Sequence, residues 1–145
     1  MKCRLRPANA PSLITAGPYS SQHARDRDEP GRRLCGGRYR KDYARIAELL
    51  HPEVDFKGLT PNRLWEAGDP ATVEGILKRW IEPDEHVEEL ISVETDTIAD
   101  RERVGYRYRL RTPDGQFLVE QQAFLGEREG RIGWLRLLCS GLRPL

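Results

Sequence analysis

The residues best suited to chemistry in this sequence are two carboxyl groups and two phenols. Glu120 lies in an alternating stretch that we align with Tyr106 and Tyr108, and Asp55 lies in a short alternating run. A carboxyl group that loses water inside a pocket has a raised pKa and can exchange a proton near neutral pH. A phenol directly opposite can hydrogen-bond to it. We therefore take Glu120, Tyr108 and Asp55 as the candidate catalytic residues.

Both carboxyl groups also have an ordinary structural interpretation. Glu120 could simply satisfy the hydrogen bonding of its neighbours, or be held at a pocket rim by Arg136 or another arginine. Asp55 could be a solvated strand end. Neither alternative is excluded by the sequence.

Metal and cofactor chemistry is not indicated. The three cysteines are far apart and form no Cys-x-x-Cys pair, and neither they nor the three histidines show metal-ligand spacing: Cys3, Cys35, Cys139, His23, His51 and His86. No Ser-His-Asp or Cys-His set can be assembled. No glycine-rich phosphate loop follows a strand. We expect no cofactor and no metal.

Four runs of period-two alternation predict the strands that position these side chains, at residues 87–98, 104–112, 116–125 and 132–140. Pro113 and Asp114 suit a type I turn with Gly115 left-handed after it, which pairs Thr112 with Gln116. That register places Tyr108 opposite Glu120 and Tyr106 opposite Gln122, with Val104 opposite Phe124. A loop of four residues before the last strand would add Leu135, Leu137 and Cys139 to this face; a loop of three residues would add Trp134 instead.

An apolar sheet face with phenols, a carboxyl and an amide at its centre is typical of a ligand pocket. The candidate ligand-binding residues are Tyr106, Gln122, Phe124, Trp65, Trp80, Tyr43 and Phe56. We predict a small, mostly apolar ligand that carries oxygen groups. The opposite face is also apolar, and two helices can cover only one side. A homodimer through that second face is therefore expected, formed by Phe117, Val119, Ala123 and Leu125.

Two helices precede the strands. Tyr43, Ile46 and Leu50 form one apolar stripe, and a second stripe runs from an Asp69 cap and Pro70 to Ile81. Residues 59–68 between them are predicted to be a loop or short helix carrying Trp65. Two helices followed by an antiparallel meander define an α+β fold.

The N-terminal residues differ in composition from the rest. Residues 1–40 contain nine Lys or Arg against three acids, and the remainder fifteen against twenty. Residues 1–37 are rich in Pro and Gly and have no sustained apolar period, so we predict a disordered tail before a domain at 38–145. Nucleic-acid binding is not favoured, because the tail lacks interleaved aromatics. No segment has the length and apolarity of a signal core or membrane span, and we expect a cytoplasmic protein.

The order of several short motifs resembles the nuclear transport factor 2-like superfamily, in its SnoaL-like and ketosteroid-isomerase-like branch. The motifs are Leu49-Leu50-His51-Pro52-Glu53-Val54-Asp55-Phe56, Gly58-Leu59-Thr60-Pro61, Asp69-Pro70, Glu120-Gln121 and Glu129-Gly130-Arg131-Ile132. The resemblance covers about residues 40–145. It implies a cone of a strongly bent antiparallel sheet wrapped around two or three helices, often dimeric, with a small apolar ligand at its mouth.

The resemblance carries over to the site only in part. Gln122 and Lys57 occupy the positions at which steroid isomerases of this superfamily have carboxyl groups, so steroid isomerase activity is not expected. Two functions follow as hypotheses. The first is a cyclase or isomerase that uses cofactor-free acid/base chemistry on a carbonyl-containing ligand. The second is a non-catalytic, dimeric binding or interaction module with the same cone.

Overall fold

The computed structural model describes residues 30–145. Its three helices are α1 (Pro30–Arg40), α2 (Tyr43–Leu49) and α3 (Pro70–Trp80). Its strands are β1 (Leu50–Thr60), β2 (Arg63–Ala67), β3 (His86–Ile98), β4 (Arg101–Thr112), β5 (Gly115–Arg128), β6 (Arg131–Cys139) and β7 (Arg143–Pro144). No helix in this range is long and apolar enough to cross a membrane.

The strands form one seven-stranded sheet in the order β2-β1-β6-β5-β4-β3, with β7 paired to β5. The sheet is curled but not closed, and it is mixed rather than purely antiparallel, because β1 runs parallel to β6. The three helices pack on its inner face, where most of the apolar core lies. The predicted α+β cone is therefore confirmed.

The two predicted helices are present, and their starts follow from local capping. Asp69 accepts a hydrogen bond from the amide of Thr72 at 2.8 Å, and Pro70 occupies the first helical position of α3. Asp42 caps α2 by accepting from the amide of Arg45 at 3.2 Å. One face of α3 packs against the core through the buried residues Val73, Ile76 and Leu77.

The helix α1 supplies the third helix of the cone. It spans Pro30–Arg40, so the boundary we predicted at residue 38 falls inside it. Leu34 and Cys35 are buried, and the amide of Gly31 donates to the Glu102 carboxylate at 3.1 Å. These contacts with the sheet stabilise a helix in a segment whose glycines predict irregular chain. The remainder of the predicted tail, residues 1–29, lies outside the described residues.

The segment 59–68 is not a loop or short helix. The first strand continues to Thr60, and β2 returns beside it, with Thr60 paired to Arg63 and Gly58 paired to Trp65. Trp65 therefore lies on a strand, where its indole Nε1 donates to Thr60 Oγ1 at 3.0 Å.

The predicted register of β4 and β5 is wrong by one residue. Thr112 pairs with Gly115 across a turn formed by Pro113 and Asp114 alone, so Gly115, whose φ is +128°, is the first residue of β5. Tyr108 consequently pairs with Val119, and Tyr106 pairs with Gln121. Because side chains alternate along a strand, this shift moves every β5 residue to the other face.

The shift places the predicted dimer face inside the cone. Val119, Ala123 and Leu125 are at most 3% exposed and belong to the core, and Phe117 is half-buried. They share the inner face with Leu135 and the two residues that we expected beside it, Leu137 and Cys139. Because Val119, Ala123 and Leu125 are buried among the chain's own side chains, these three residues offer no surface to a partner.

Candidate ligand-binding site

A cluster of polar side chains lies inside the cone, between the helices and the sheet. We call it the interior polar cluster; its members are Arg38, Tyr43, Trp80, Tyr106, Tyr108 and Gln121. The helices contribute the first three, and β4 and β5 contribute the others. Arg38, Tyr106, Tyr108 and Gln121 are all at most 2% exposed. The surrounding core is otherwise apolar.

Gln121 is the hydrogen-bond acceptor of this cluster. Its Oε1 accepts from Tyr106 Oη at 2.6 Å and from Arg38 Nε at 3.4 Å. Its Nε2 donates to Cys139 Sγ at 3.3 Å. Arg38 also donates through Nη1 to the carbonyl of Leu77 at 3.3 Å, which ties α1 to α3.

Three donors of the cluster have no acceptor. Arg38 Nη2, Tyr43 Oη and Trp80 Nε1 are buried and make no hydrogen bond within the part of the chain that the structure describes. No carboxylate pairs with the Arg38 guanidinium there either. A buried cation without a counter-charge costs several kcal/mol, and each unpaired buried donor costs about 1–3 kcal/mol. The cluster therefore presents three buried donors that no described acceptor satisfies.

The phenols of the cluster remain protonated at neutral pH. Burial raises the pKa of Tyr108 to about 12, and the nearby Arg38 guanidinium opposes that rise. Burial likewise raises the pKa of Tyr106 and of Tyr43 above the usual value, again opposed by Arg38. These phenols can donate hydrogen bonds but cannot accept a proton as bases.

Aromatic rings form one wall of the cluster. The Trp80 ring lies 5.7 Å from the Arg38 guanidinium and meets Trp65 edge-on, with centroids 6.5 Å apart. Gly58 on β1 permits this packing, because a Cβ there would lie 2.8 Å from Trp80 and 2.9 Å from Phe56. The rings of Tyr106 and Tyr108 stack with centroids 6.3 Å apart. Six of the ten predicted site residues therefore belong to this wall or the cluster: Tyr43, Phe56, Trp65, Trp80, Tyr106 and Tyr108.

An open cavity of about 360 Å³ lies between β2 and α3. Trp65 and Ile76 line it, together with Arg63 and Arg79. Because Trp65 lines this cavity and touches Trp80 of the interior polar cluster, Trp65 lies between the cavity and the cluster. Trp65, a predicted ligand-binding residue, is therefore placed at a cavity wall.

Glu120 is not in the cone. It faces away from Tyr106 and Tyr108, and its carboxylate is ion-paired with Arg107 Nε at 3.3 Å and Arg143 Nη1 at 3.6 Å. Gln122 and Phe124 share this outer face, where Gln122 accepts from Arg103 Nη1 at 2.9 Å. The one-residue register shift is the reason that Glu120, Gln122 and Phe124 face outward. The premise of our acid/base assignment, a carboxyl facing the pocket, is therefore wrong for Glu120.

Asp55 lies on the exposed side of β1. Its carboxylate accepts two hydrogen bonds from the Arg136 guanidinium, at 3.1 and 3.0 Å. That contact lowers the pKa of Asp55 below its usual value. A carboxylate with a lowered pKa is a weak base near neutral pH. Asp55 and the cluster lie apart, and the structure does not bring the three predicted catalytic residues together.

Arg38 and Gln121 are the site residues that sequence reasoning missed. Arg38 is the first residue of the domain that we predicted, next to the predicted tail, and no sequence signal marks it as buried. Gln121 was assigned to the wrong face by the register error, although a lone amide between Val119 and Ala123 is a signal that the correct register would have revealed. Within residues 30–145 no group of three His, Cys, Asp or Glu side chains is placed to hold a metal ion.

Comparisons with known proteins agree with this architecture. No protein-family model matches the sequence, and no curated protein matches it. A candidate isomerase from Rhodopseudomonas palustris superposes with a TM-score of 0.63 at 15% identity, covering 77% of this chain and 90% of that one. A hypothetical protein with a ketosteroid isomerase-like fold from Catenulispora acidiphila, in complex with trimethylamine, gives 0.60 at 12% identity, covering 78% and 86%.

A candidate polyketide cyclase from Pseudomonas putida gives a TM-score of 0.58 at 12% identity, covering 75% of this chain and 87% of that one. At these identities the similarity shows the fold alone. The protein thus shares the fold of these isomerase-like and cyclase-like structures, which is the α+β cone that the motifs predicted.

Proposed function

We propose that this protein binds a small, mostly apolar molecule in its cone and that the interior polar cluster receives an oxygen of that molecule. The observation that carries the proposal is the buried Arg38 guanidinium, whose Nη2 has no hydrogen-bond partner and which pairs with no carboxylate among residues 30–145. The unpaired Tyr43 and Trp80 donors add to it. A carbonyl, enolate or carboxylate oxygen is the acceptor that such donors fit.

The route to the cluster passes Trp80. Its indole lies beside Arg38 and contacts Trp65, which lines the 360 Å³ cavity. The volume of that cavity suits the apolar body of a small ligand. Trp80 is the last residue of α3, where helices fray most easily. We infer that Trp80 moves when the ligand enters and that its Nε1 then finds an acceptor.

Binding without catalysis is the function that the cluster supports best. Donors of this kind stabilise an oxygen that gains negative charge, as an isomerase or cyclase requires. A complete acid/base reaction also needs a proton acceptor, and the described cluster offers only protonated phenols, an amide, an indole and a guanidinium. Turnover of a bound ligand would instead support the isomerase or cyclase hypothesis.

The proposal is tested with Tyr43→Phe, which deletes an unpaired hydroxyl and little else. We expect the melting temperature of the free protein to stay the same or rise, because a buried donor without an acceptor is removed. Affinity for the ligand should fall roughly fivefold, equivalent to about 1 kcal/mol. Tyr39→Phe is the matched control, since Tyr39 is a partly exposed tyrosine of α1 outside the cluster.

The probes are 2-tetralone and 2-naphthoate, which present a ketone or a carboxylate on an apolar bicycle. Titration is followed by tryptophan fluorescence, and mass spectrometry of the denatured protein identifies any molecule that copurifies. We expect Arg38→Met to lose both probe binding and the copurifying molecule. Wild-type protein that carries no small molecule and binds neither probe contradicts the proposal.

A further inference from the structure

A second cavity, of about 520 Å³, lies on the outside of α1, between that helix, the start of α2 and β3. We call it the α1–β3 cleft. Its floor is apolar, formed by Cys35, Leu90 and Val93, and arginines surround it. Gly36 and Arg38 are separated by about 200° around the helix, so these two residues face opposite sides of α1.

Unpaired positive charge marks the rim of this cleft. Arg33 and Arg40 are exposed, and neither has a carboxylate partner among residues 30–145. The only acid in the lining, Asp42, has its carboxylate engaged by the amide of Arg45, and Arg45 is paired with Glu48 at 3.2 Å. Positions 33, 36 and 40 share one face of the helix, so the two arginines flank Gly36 about 5 Å to either side along the axis.

Among residues 30–145, no neighbour packs closely enough against Gly36 to require a glycine there. A Cβ at this position would meet no described atom within 4 Å, whereas a Cβ at Gly37 would lie 2.6 Å from Ile46. Glycine inside a helix lowers helix stability relative to alanine. A side chain at Gly36 would occupy the cleft, so the glycine keeps that volume open.

We propose that the α1–β3 cleft binds an organic acid, with its apolar body on Leu90 and Val93 and its carboxylate or phosphate between Arg33 and Arg40. Guanidinium groups bind both kinds of oxyanion through paired hydrogen bonds. The cavity volume is that of a small-molecule site. This site is independent of the oxygen-binding role of Arg38.

The test is a calorimetric titration of the full chain with octanoate and octyl phosphate, whose difference shows which oxyanion is preferred. Octanol has the apolar body without the charge, and acetate has the charge without the body. We expect at least one of the two acids to bind, more weakly at high salt. Octanol and acetate should bind at least about tenfold more weakly.

Two variants at the cleft test its arginine charge and its open volume separately. Arg33→Gln combined with Arg40→Gln should weaken binding of the acid about tenfold, and Gly36→Leu should abolish it while the melting temperature is kept. Gly75→Leu is the matched control, because Gly75 of α3 is equally open but lines the other cavity. Tyr43→Phe, which alters the interior polar cluster, should leave acid binding unchanged.

The proposal is overturned by any of three results. Neither acid binds the wild-type protein; octanol binds as tightly as octanoate; or the double arginine variant and Gly36→Leu both bind like the wild type.

Discussion

The Arg38 side chain is held in place by neutral groups alone. It donates to an amide oxygen and a main-chain carbonyl and lies beside an indole, while its charge has no opposite charge nearby within the described chain. The exposed Arg136–Asp55 pair differs, since solvent screens it and such pairs contribute at most about 1 kcal/mol. At the residue scale, the Arg38 cation, buried without a counter-charge, is the feature that indicates a ligand oxygen.

The raised pKa of Tyr108 predicts alkaline sensitivity. Its folded value of about 12 lies above the ordinary value of 10.0, so its contribution to stability is complete below pH 10 and is lost as pH rises through about 12. The free energy of unfolding should fall between these pH values by up to about 1.4 kcal/mol per pH unit from this group. The free energy of unfolding of Tyr108→Phe, measured by urea denaturation at several pH values, should fall less steeply with pH than that of the wild type.

Tyr39→Phe is the control for the alkaline experiment, and it should show the wild-type slope. Identical slopes for Tyr108→Phe and the wild type would show that the Tyr108 phenol does not resist ionisation in the folded state.

The β4–β5 hairpin decides which side chains enter the cone, so its register is the central feature at the scale of elements. Gln121 and Gln122 are adjacent residues of the same type, and the register sends only Gln121 inward. Gln121→Ala removes the acceptor of Tyr106 and Arg38 and leaves a cavity, so we expect a loss of about 2–4 kcal/mol in the free energy of unfolding.

Gln122→Ala is the paired substitution for this hairpin. It deletes a contact with Arg103 on the outer face, and we expect its cost to stay within about 0.5 kcal/mol. Urea denaturation of both variants measures the difference. Equal costs, or a larger cost for Gln122→Ala, would contradict the register.

The sequence was sufficient for elements whose signals are local. Asp69 and Pro70 mark the start of α3 by capping chemistry, and two-residue alternation marks the long strands. The local sequence does not determine which face of β5 points into the cone. Both faces carry large apolar side chains, and Pro113-Asp114-Gly115 suits turns of two lengths. The helix α1 was missed because its Gly31 and Gly36 oppose helix formation, and only packing on the sheet compensates for them.

At the scale of the whole molecule, a homodimer remains a prediction, and we propose the outer face of the sheet as its surface, because the inner face is buried under the helices. That face carries half-buried Phe124 and exposed Leu138, beside Trp134, whose ring lies between Arg101 and Arg136 at 4.3 and 4.4 Å. An apolar patch with stacked arginines is typical of protein interfaces.

We expect the wild type to sediment as a dimer at micromolar concentration and Leu138→Glu to sediment as a folded monomer. Ala44→Glu is the control, because Ala44 is exposed on α2, away from the outer face of the sheet, and should leave the dimer intact. A monomeric wild type, or a dimer that tolerates Leu138→Glu but not Ala44→Glu, would contradict this surface.

The parallel pairing of β1 with β6 also affects how the protein is made. Leu59 pairs with Leu138, and Leu50 with Ile132, so one edge of β1 has no partner until the C-terminal hairpin has left the ribosome. Until then the unpaired edge, with Val54 and Phe56 beside it, is open to pairing with other nascent chains. Synthesis that stalls before Arg131 should therefore yield fragments that aggregate or are retained by chaperones.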